Sequence, residues 1–225
     1  GEKIYVPGGE LADGTPTDIL EVYDPRKDSW ETRAPIPIKV SGYALADFEG
    51  QMFLFGGWDG EKALDQVFIY DPNDDAWREG TPMPTARAYA GAAEAGGKIY
   101  VVGGWDGESA LDVNESYNPS RDVAGEAAWE EETKIHNNFV VYNVYSFSEM
   151  IFLIGDKGIL HYSNQDDNWN FPNFVRGFEI LQSSAVSSSE GKFYILGGRD
   201  SRGTIIGKNI RYQAIYTIVI PQILN

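Results

Sequence analysis

Two nearly identical stretches carry the residues best suited to binding chemistry. GGWDGEKALD and GGWDGESALD begin 47 residues apart and differ at one position. Each places a tryptophan beside an aspartate, Trp58 with Asp59 and Trp105 with Asp106. A flat ring next to a carboxylate can hold a peptide or a sugar. The same residues also suit a tight Asp-Gly turn without a ligand, so both interpretations stay open at this point.

The remaining titratable residues predict no catalytic or metal centre. The histidines His136 and His161 have no second histidine at metal-ligand spacing, and the acidic runs Glu130–Glu132 and 166–167 are expected to form a solvated rim. With no cysteine in the chain, a thiolate nucleophile and a cysteine-based metal site are excluded. We therefore assign no catalytic residue, no metal and no cofactor.

The charge of this acidic protein limits its partners. The 225 residues carry a formal net charge of −16, which repels nucleic-acid phosphates and anionic membranes, so neither is expected as a partner. The apolar runs are too short to span a bilayer. The first residues read as the middle of a fold and carry no targeting segment, so the sequence leaves the localisation open.

The chain contains an internal repeat, which predicts the elements that hold these residues. An apolar run ending in glycine recurs five times, as KIYVPGG, QMFLFGG, KIYVVGG, MIFLIGD and KFYILGG. A tyrosine follows each run, and in four of the five repeats a tryptophan follows the tyrosine. In the third repeat the spacing from tyrosine to tryptophan is five residues longer than in the others, which indicates an insertion in that turn. Periods of this length mark propellers and other repeat arrays.

This ordered set of landmarks resembles the kelch-repeat β-propeller family, which includes bacterial kelch proteins. The resemblance implies an all-β fold of about five four-stranded antiparallel blades around a central channel. The repeats span approximately residues 1–39, 40–86, 87–137, 138–176 and 177–225, within one domain. Gly-Gly, tyrosine and tryptophan are then expected to be scaffold residues between blades.

The first blade lacks residues for an inner strand, so its KIYV edge is expected to be open to pairing with another chain. The segment YTIVIPQIL is expected to form an outer strand of the fifth blade. Either the chain forms a compact five-blade ring with one three-stranded blade, or it is part of a larger ring. For blades two and three, we predict strands at 43–48, 52–55, 67–70 and 76–79, and at 89–93, 98–102, 114–117 and 129–133.

The resemblance also implies that loops at one mouth of the channel bind ligands. Arg87 and Tyr89 follow the turn that joins blades two and three, and with Trp58, Asp59, Trp105 and Asp106 they form the predicted ligand-binding mouth. The main hypothesis is a non-enzymatic module that binds a protein or a glycan. The alternative is a sugar-processing enzyme of the sialic-acid mutarotase type, with Arg87, His136 or a channel glutamate as acid and base.

Overall fold

The strands form five antiparallel sheets, which we call blades one to five. The computed structural model describes residues 3–135, 139–147 and 149–170, and the backbone of three later strands. Each sheet is built from strands that are consecutive in the chain. Blade one contains β1 (Ile4–Pro7), β2 (Leu20–Asp24) and β3 (Ser29–Arg33); blade two contains β4 (Ala44–Phe48), β5 (Gln51–Trp58), β6 (Ala63–Asp71) and β7 (Ala76–Gly80); blade three contains β8 (Gly91–Ala95), β9 (Lys98–Val102), β10 (Asn114–Tyr117) and β11 (Trp129–Glu131); blade four contains β12 (Val141–Phe147), β13 (Met150–Gly155), β14 (Gly158–Ser163) and β15 (Asn168–Asn170); blade five contains β16 (Ala185–Ser189), β17 (Lys192–Leu196) and β18 (Asn209–Gln213).

This arrangement confirms the predicted kelch propeller, and among the described residues blade one has three strands. Blades two to four have four strands, and the strand order runs from β1 to β2 to β3 in blade one. The predicted outer strand YTIVIPQIL lies outside the described residues. In blade two, β5 and β6 extend further than predicted, because their pairing continues past a register shift between Phe55 and Gly57 as far as Trp58 and Ala63.

The core lies between neighbouring blades, because the central strands of blades two to four are buried on both faces. On β9, Ile99 and Val101 pack with phenylalanines of β5, whereas Tyr100 and Val102 pack with residues of blade four. All four side chains are almost completely buried. Continuous apolar runs such as KIYVV therefore reflect face-to-face stacking of blades rather than an alternating half-exposed strand.

One contact, which we call the Tyr–Asp–Trp clamp, recurs at each described interface between blades. The tyrosine and tryptophan rings lie 5.0 Å apart, and the aspartate and tryptophan together hold one residue of the preceding blade. The aspartate accepts that residue's N–H, and the indole Nε1–H donates to its C=O. The clamps are Tyr70–Asp75–Trp77 on Ala34, Tyr117–Asp122–Trp129 on Thr81, and Tyr162–Asp167–Trp169 on Thr133.

The clamps perturb the aspartates that belong to them. The N–H of Ala34 and the hydroxyl of Tyr70 hold the pKa of Asp75 below its ordinary value, and the N–H of Thr133 does the same for the pKa of Asp167. Because a charged acceptor strengthens a hydrogen bond, each clamp joins two blades by a charge-assisted bond as well as by buried aromatic surface.

The insertion in the third repeat forms a short helix, α1 (Pro119–Ala124), which the sequence analysis did not predict. The Asn118 side chain caps it by accepting from the N–H groups of Ser120 and Arg121, and Gly125 ends it at a φ of 72°. Both caps are standard helix-terminus chemistry. The helix keeps Asp122 in place to hold Thr81, so the insertion leaves the clamp of blade three intact.

Candidate functional site

The structure brings together three aromatic residues that the sequence placed at the mouth. The ring of Trp58 lies 5.3 Å from that of Trp105, and the ring of Tyr89 lies 6.4 Å from that of Trp105. Backbone bridges from Ser41 to Trp58 and from Ala88 to Trp105 tie the two tryptophan loops to the connections between blades. We call Trp58, Tyr89 and Trp105 the mouth surface.

Tyr89 has the least common backbone conformation of this surface. Its φ is 55°, in the left-handed region that bulky side chains rarely adopt, and 56% of the residue is exposed. Gly42 holds the matching position one repeat earlier, with a φ of 58°. A glycine would therefore satisfy the backbone at position 89 without strain. The contacts around Tyr89 must offset the cost of this conformation.

The Tyr89 ring lies directly over Gly42. A Cβ placed on Gly42 would lie 2.6 Å from Cε1 of Tyr89, and the Tyr89 N–H donates to the Gly42 carbonyl over 2.6 Å. These contacts fix the ring beside Trp105, so one face of it remains available to a partner.

Asp59 and Asp106 shape the loops that carry the tryptophans. Each Oδ1 accepts two backbone N–H groups, those of Glu61 and Lys62 for Asp59, and those of residues 108 and 109 for Asp106. Hydrogen bonds from Ser109 and Glu108 lower the pKa of Asp106. Burial raises the pKa of Asp59, but hydrogen bonds from the N–H groups of Lys62 and Glu61 outweigh it, so this pKa is also lowered. The turn chemistry considered for these loops is therefore present, and it positions the rings.

The loops that surround the mouth surface carry mostly negative charge. Residues 9–16, 58–62 and 105–109 of the first three blades include six acidic side chains and one basic side chain. Neighbouring loops touch, since a Cβ on Gly60 would lie 3.6 Å from Pro16, and one on Gly107 would lie 4.0 Å from Trp58. The acidic residues are Glu10, Asp13, Asp59, Glu61, Asp106 and Glu108, and the basic residue is Lys62.

Arg87 does not reach the mouth. Its side chain is fully buried, and Nη2 donates to Oε2 of Glu115 over 2.7 Å and to the carbonyl of Val101 over 3.3 Å. Thr85 donates to the other oxygen of Glu115 over 2.6 Å. Burial lowers the pKa of Arg87, and the charge of Glu115 opposes that effect. We therefore correct the assignment of Arg87 from a ligand-binding residue to one half of an internal ion pair.

The other titratable residues singled out in the sequence have structural contacts or lie outside the described residues. Glu132 accepts from the hydroxyls of Ser116 and Tyr162, and Asp167 also accepts from Tyr162. Both carboxylates contact a neighbouring blade. The prediction of a solvated rim was wrong for Glu132, whose side chain is 14% exposed, whereas Asp167 is exposed to solvent. Burial lowers the pKa of His161, and His136 lies outside the described residues.

In the described part of the chain, no group of three or more histidine, cysteine or carboxylate side chains could hold a metal ion. In the same residues, no helix has the length and apolar character needed to cross a membrane.

Blade one presents a second surface, on the side turned away from blade two. Ile4, Val6, Ile19 and Trp30 are 40% to 58% exposed there, and we call these four residues the leading face. The residues that match Ile4 and Val6 in blade three, Ile99 and Val101, are fully buried against blade two. No described residue covers the leading face in the same way.

The repeat landmarks now have counterparts in known proteins. The Kelch motif profile matches residues 1–37, 40–84 and 86–123, which is more than half of the chain. The chain belongs to the kelch-repeat family. The kelch match ends at residue 123, and the fourth and fifth repeats beyond it are those in which the Gly-Gly, Asp-Pro or tryptophan landmarks are altered.

Individual kelch relatives match over about one quarter of the chain. Alpha-scruin of Limulus polyphemus is 39% identical over 56 residues, 25% of this chain and 6% of the relative. Kelch-like protein 35 of Mus musculus is 33% identical over 55 residues, 24% and 10% of the two chains. Kelch-like protein 4 of Homo sapiens is 35% identical over 51 residues, which is 23% of this chain and 7% of the relative. The matches span a tenth or less of the length of these relatives.

Proposed function

We propose that this kelch propeller is a non-enzymatic protein-interaction module that binds its partner through the mouth surface. The observation that carries the proposal is Tyr89, an exposed aromatic ring held in a left-handed backbone conformation next to Trp105 and Trp58. Tyrosine and tryptophan are the residue types that most often dominate binding energy in protein interfaces. The presence of kelch repeats here and in the kelch-like relatives supports a protein as the partner.

The charge of the surrounding loops favours a partner segment rich in lysine or arginine. Six carboxylates and one lysine surround the rings, and the chain as a whole carries a charge of −16. A cation above the face of tryptophan or tyrosine is attracted to the ring, by about 0.5–2 kcal/mol. Because Arg87 is buried, the described loops at residues 9–16, 58–62 and 105–109 offer no arginine with which to bind an acidic segment. The proposed partner therefore has the opposite charge.

Peptide and glycan arrays probed with the purified chain test this proposal. We expect binding to basic peptides that weakens as salt is added, because the attraction between exposed charges is screened. The Trp105→Ala variant, and Tyr89→Asn, which keeps a residue that tolerates a positive φ, should both lose binding while remaining folded. Trp30→Ala removes another exposed tryptophan, on blade one, and should bind like the wild type.

Three results would contradict the proposal. Undiminished binding by the two mouth variants would place the site elsewhere. Retention of glycans in preference to peptides would change the partner class to carbohydrate. Sialic-acid mutarotation by the chain would make it an enzyme, although the burial of Arg87 removes one of the groups considered for that reaction.

We also propose that blade one contacts another polypeptide chain. The edge of β1 opposite β2 has no strand beside it among the described residues. Pairing along that edge is limited, because Pro7 has no N–H and its carbonyl accepts the hydroxyl of Tyr43. The exposed leading face offers the larger contact surface. Concentration-dependent association by light scattering would support this contact, and a monomer that binds no other chain through blade one would contradict it.

A further inference from the structure

We propose that blade one carries a Tyr–Asp–Trp clamp that no described residue occupies, and that this clamp binds the end of an outer strand of another polypeptide chain. The inference rests on the proposed contact of blade one with another chain, and it specifies which chemical groups of that chain are recognised. It depends on a comparison of blade one with the three interfaces inside the molecule.

The three residues of the clamp are present in blade one and already lie in the same geometry. The hydroxyl of Tyr23 donates to Oδ1 of Asp28 over 2.6 Å, as Tyr70 does to Asp75 over 2.8 Å. The rings of Tyr23 and Trp30 lie 5.0 Å apart, the separation found in the other three clamps. Asp28 even has the same φ as Asp75, 49°. The site is therefore preorganised before any partner arrives.

The groups that the clamp recognises are known from its three occupied copies. In each, one backbone residue at the end of the preceding blade's outer strand gives its N–H to the aspartate and its C=O to the indole. The held residues are small or hydroxyl-bearing, Ala34, Thr81 and Thr133, and proline follows the first two. The expected ligand is thus an alanine or threonine at a strand end, bound through its backbone.

Exposure distinguishes the clamp of blade one from the others. Trp30 is 58% exposed, whereas the equivalent Trp169 in blade four is 8% exposed. The apolar residues beside it, Ile4 and Val6, are 54% and 40% exposed, while their equivalents in blade three are completely buried. Contiguous exposed apolar surface around a preformed polar site is typical of an interface. The apolar part of the partner therefore covers Ile4 and Val6 while its strand end enters the clamp.

A peptide copied from the chain's own sequence can test whether the clamp of blade one binds a strand end. A labelled peptide with the sequence of residues 78–86, REGTPMPTA, contains Thr81 in the context that the clamp of blade three holds. Fluorescence anisotropy measures its binding to the full chain. A matched peptide with a methyl group on the backbone nitrogen of the threonine lacks the N–H that Asp28 accepts. We expect the methylated peptide to bind at least tenfold more weakly, since it leaves a carboxylate without its donor.

Protein variants complete the test from the other side. Trp30→Phe keeps a ring but removes the Nε1–H, so it should weaken binding of the unmodified peptide severalfold. Val123→Ala, which shortens an exposed side chain on α1, should leave peptide binding unchanged. Equal binding of the two peptides, or no effect of Trp30→Phe, would overturn the inference.

Failure of the clamp and failure of the underlying contact give different results. If the chain associates with another chain through blade one, and neither Trp30→Phe nor the unmodified peptide alters that association, then the contact stands and the clamp inference is wrong. If the chain remains monomeric, binds no peptide and keeps Trp30 fully open to a soluble quencher, then both are wrong. A protected Trp30 in a monomer would show that the chain covers its own clamp, which also overturns the inference.

Discussion

The contribution of a clamp to stability can be measured by comparing Trp77→Ala with Trp30→Ala. Burying a whole tryptophan ring removes roughly 150–250 Å² from water, and Trp77 is mostly buried. At about 25 cal/mol per Å², the loss of roughly two-thirds of that area amounts to about 2.5–4 kcal/mol. The Nε1 hydrogen bond to Ala34, 2.9 Å long, adds about 1 kcal/mol. We therefore expect Trp77→Ala to lower the free energy of unfolding by about 3.5–5 kcal/mol.

Trp30→Ala is the matched control, because Trp30 has the same ring contact with its tyrosine but holds no described residue of another blade. Its loss should cost about 1 kcal/mol, the value of an exposed aromatic pair. Urea unfolding followed by far-ultraviolet circular dichroism compares the variants without relying on tryptophan emission. Equal costs for the two substitutions would refute the reasoning, since they would show that clamp stability does not depend on the neighbouring blade.

Three other predictions concern the contacts between and within blades. Arg87→Ala should destabilise the chain by about 3–5 kcal/mol, because it leaves Glu115 buried without its partner. The double variant Arg87→Val with Glu115→Phe introduces the residues that blade two has at these positions. It should unfold at the same urea concentration as the wild type, or at a higher one. Asn118→Ala should cost about 1 kcal/mol through loss of the cap on α1, seen as a lower melting temperature. Burial raises the pKa of Asp122, but hydrogen bonds from Thr81 outweigh it and hold that pKa below 3.8. The contribution of Asp122 to folding stability is therefore complete above pH 3.8 and is lost on acidification through the folded-state pKa. Below about pH 4, stability should fall less steeply in Asp122→Asn than in the wild type.

The sequence predicted the blades well because their landmarks recur in a fixed order. Gly-Gly, tyrosine and tryptophan located strands in blades two and three mostly to within two residues, since each landmark lies at a strand end or at an interface between blades. The aspartate of the clamp was missed, although the signal was present. Asp28, Asp75, Asp122 and Asp167 each lie five residues after the landmark tyrosine, even in the repeat with the insertion.

Other features depend on contacts that local sequence does not encode. The helix α1 is too short for its six residues to show a periodic apolar pattern. The burial of Arg87 depends on Glu115, which lies on β10 and is distant in the sequence. The sequence around a single arginine in a loop does not indicate whether its side chain points inward or outward. The positive φ of Tyr89 also could not be predicted, because a tyrosine in the sequence does not indicate a left-handed backbone. Aligning the repeats, which places Gly42 at that position, is the signal that could have found it.

The packing of Tyr89 on Gly42 limits which side chains two adjacent blades can carry at this position. The two residues occupy equivalent places in adjacent blades, and the glycine leaves the space that the tyrosine ring fills. A side chain at position 42 would collide with that ring, so adjacent blades cannot both carry an aromatic group at this position without moving apart. At this pair of blades, the tyrosine ring at position 89 therefore requires a glycine at position 42. A side chain can be engineered at position 42 only if the ring at position 89 is removed or moved.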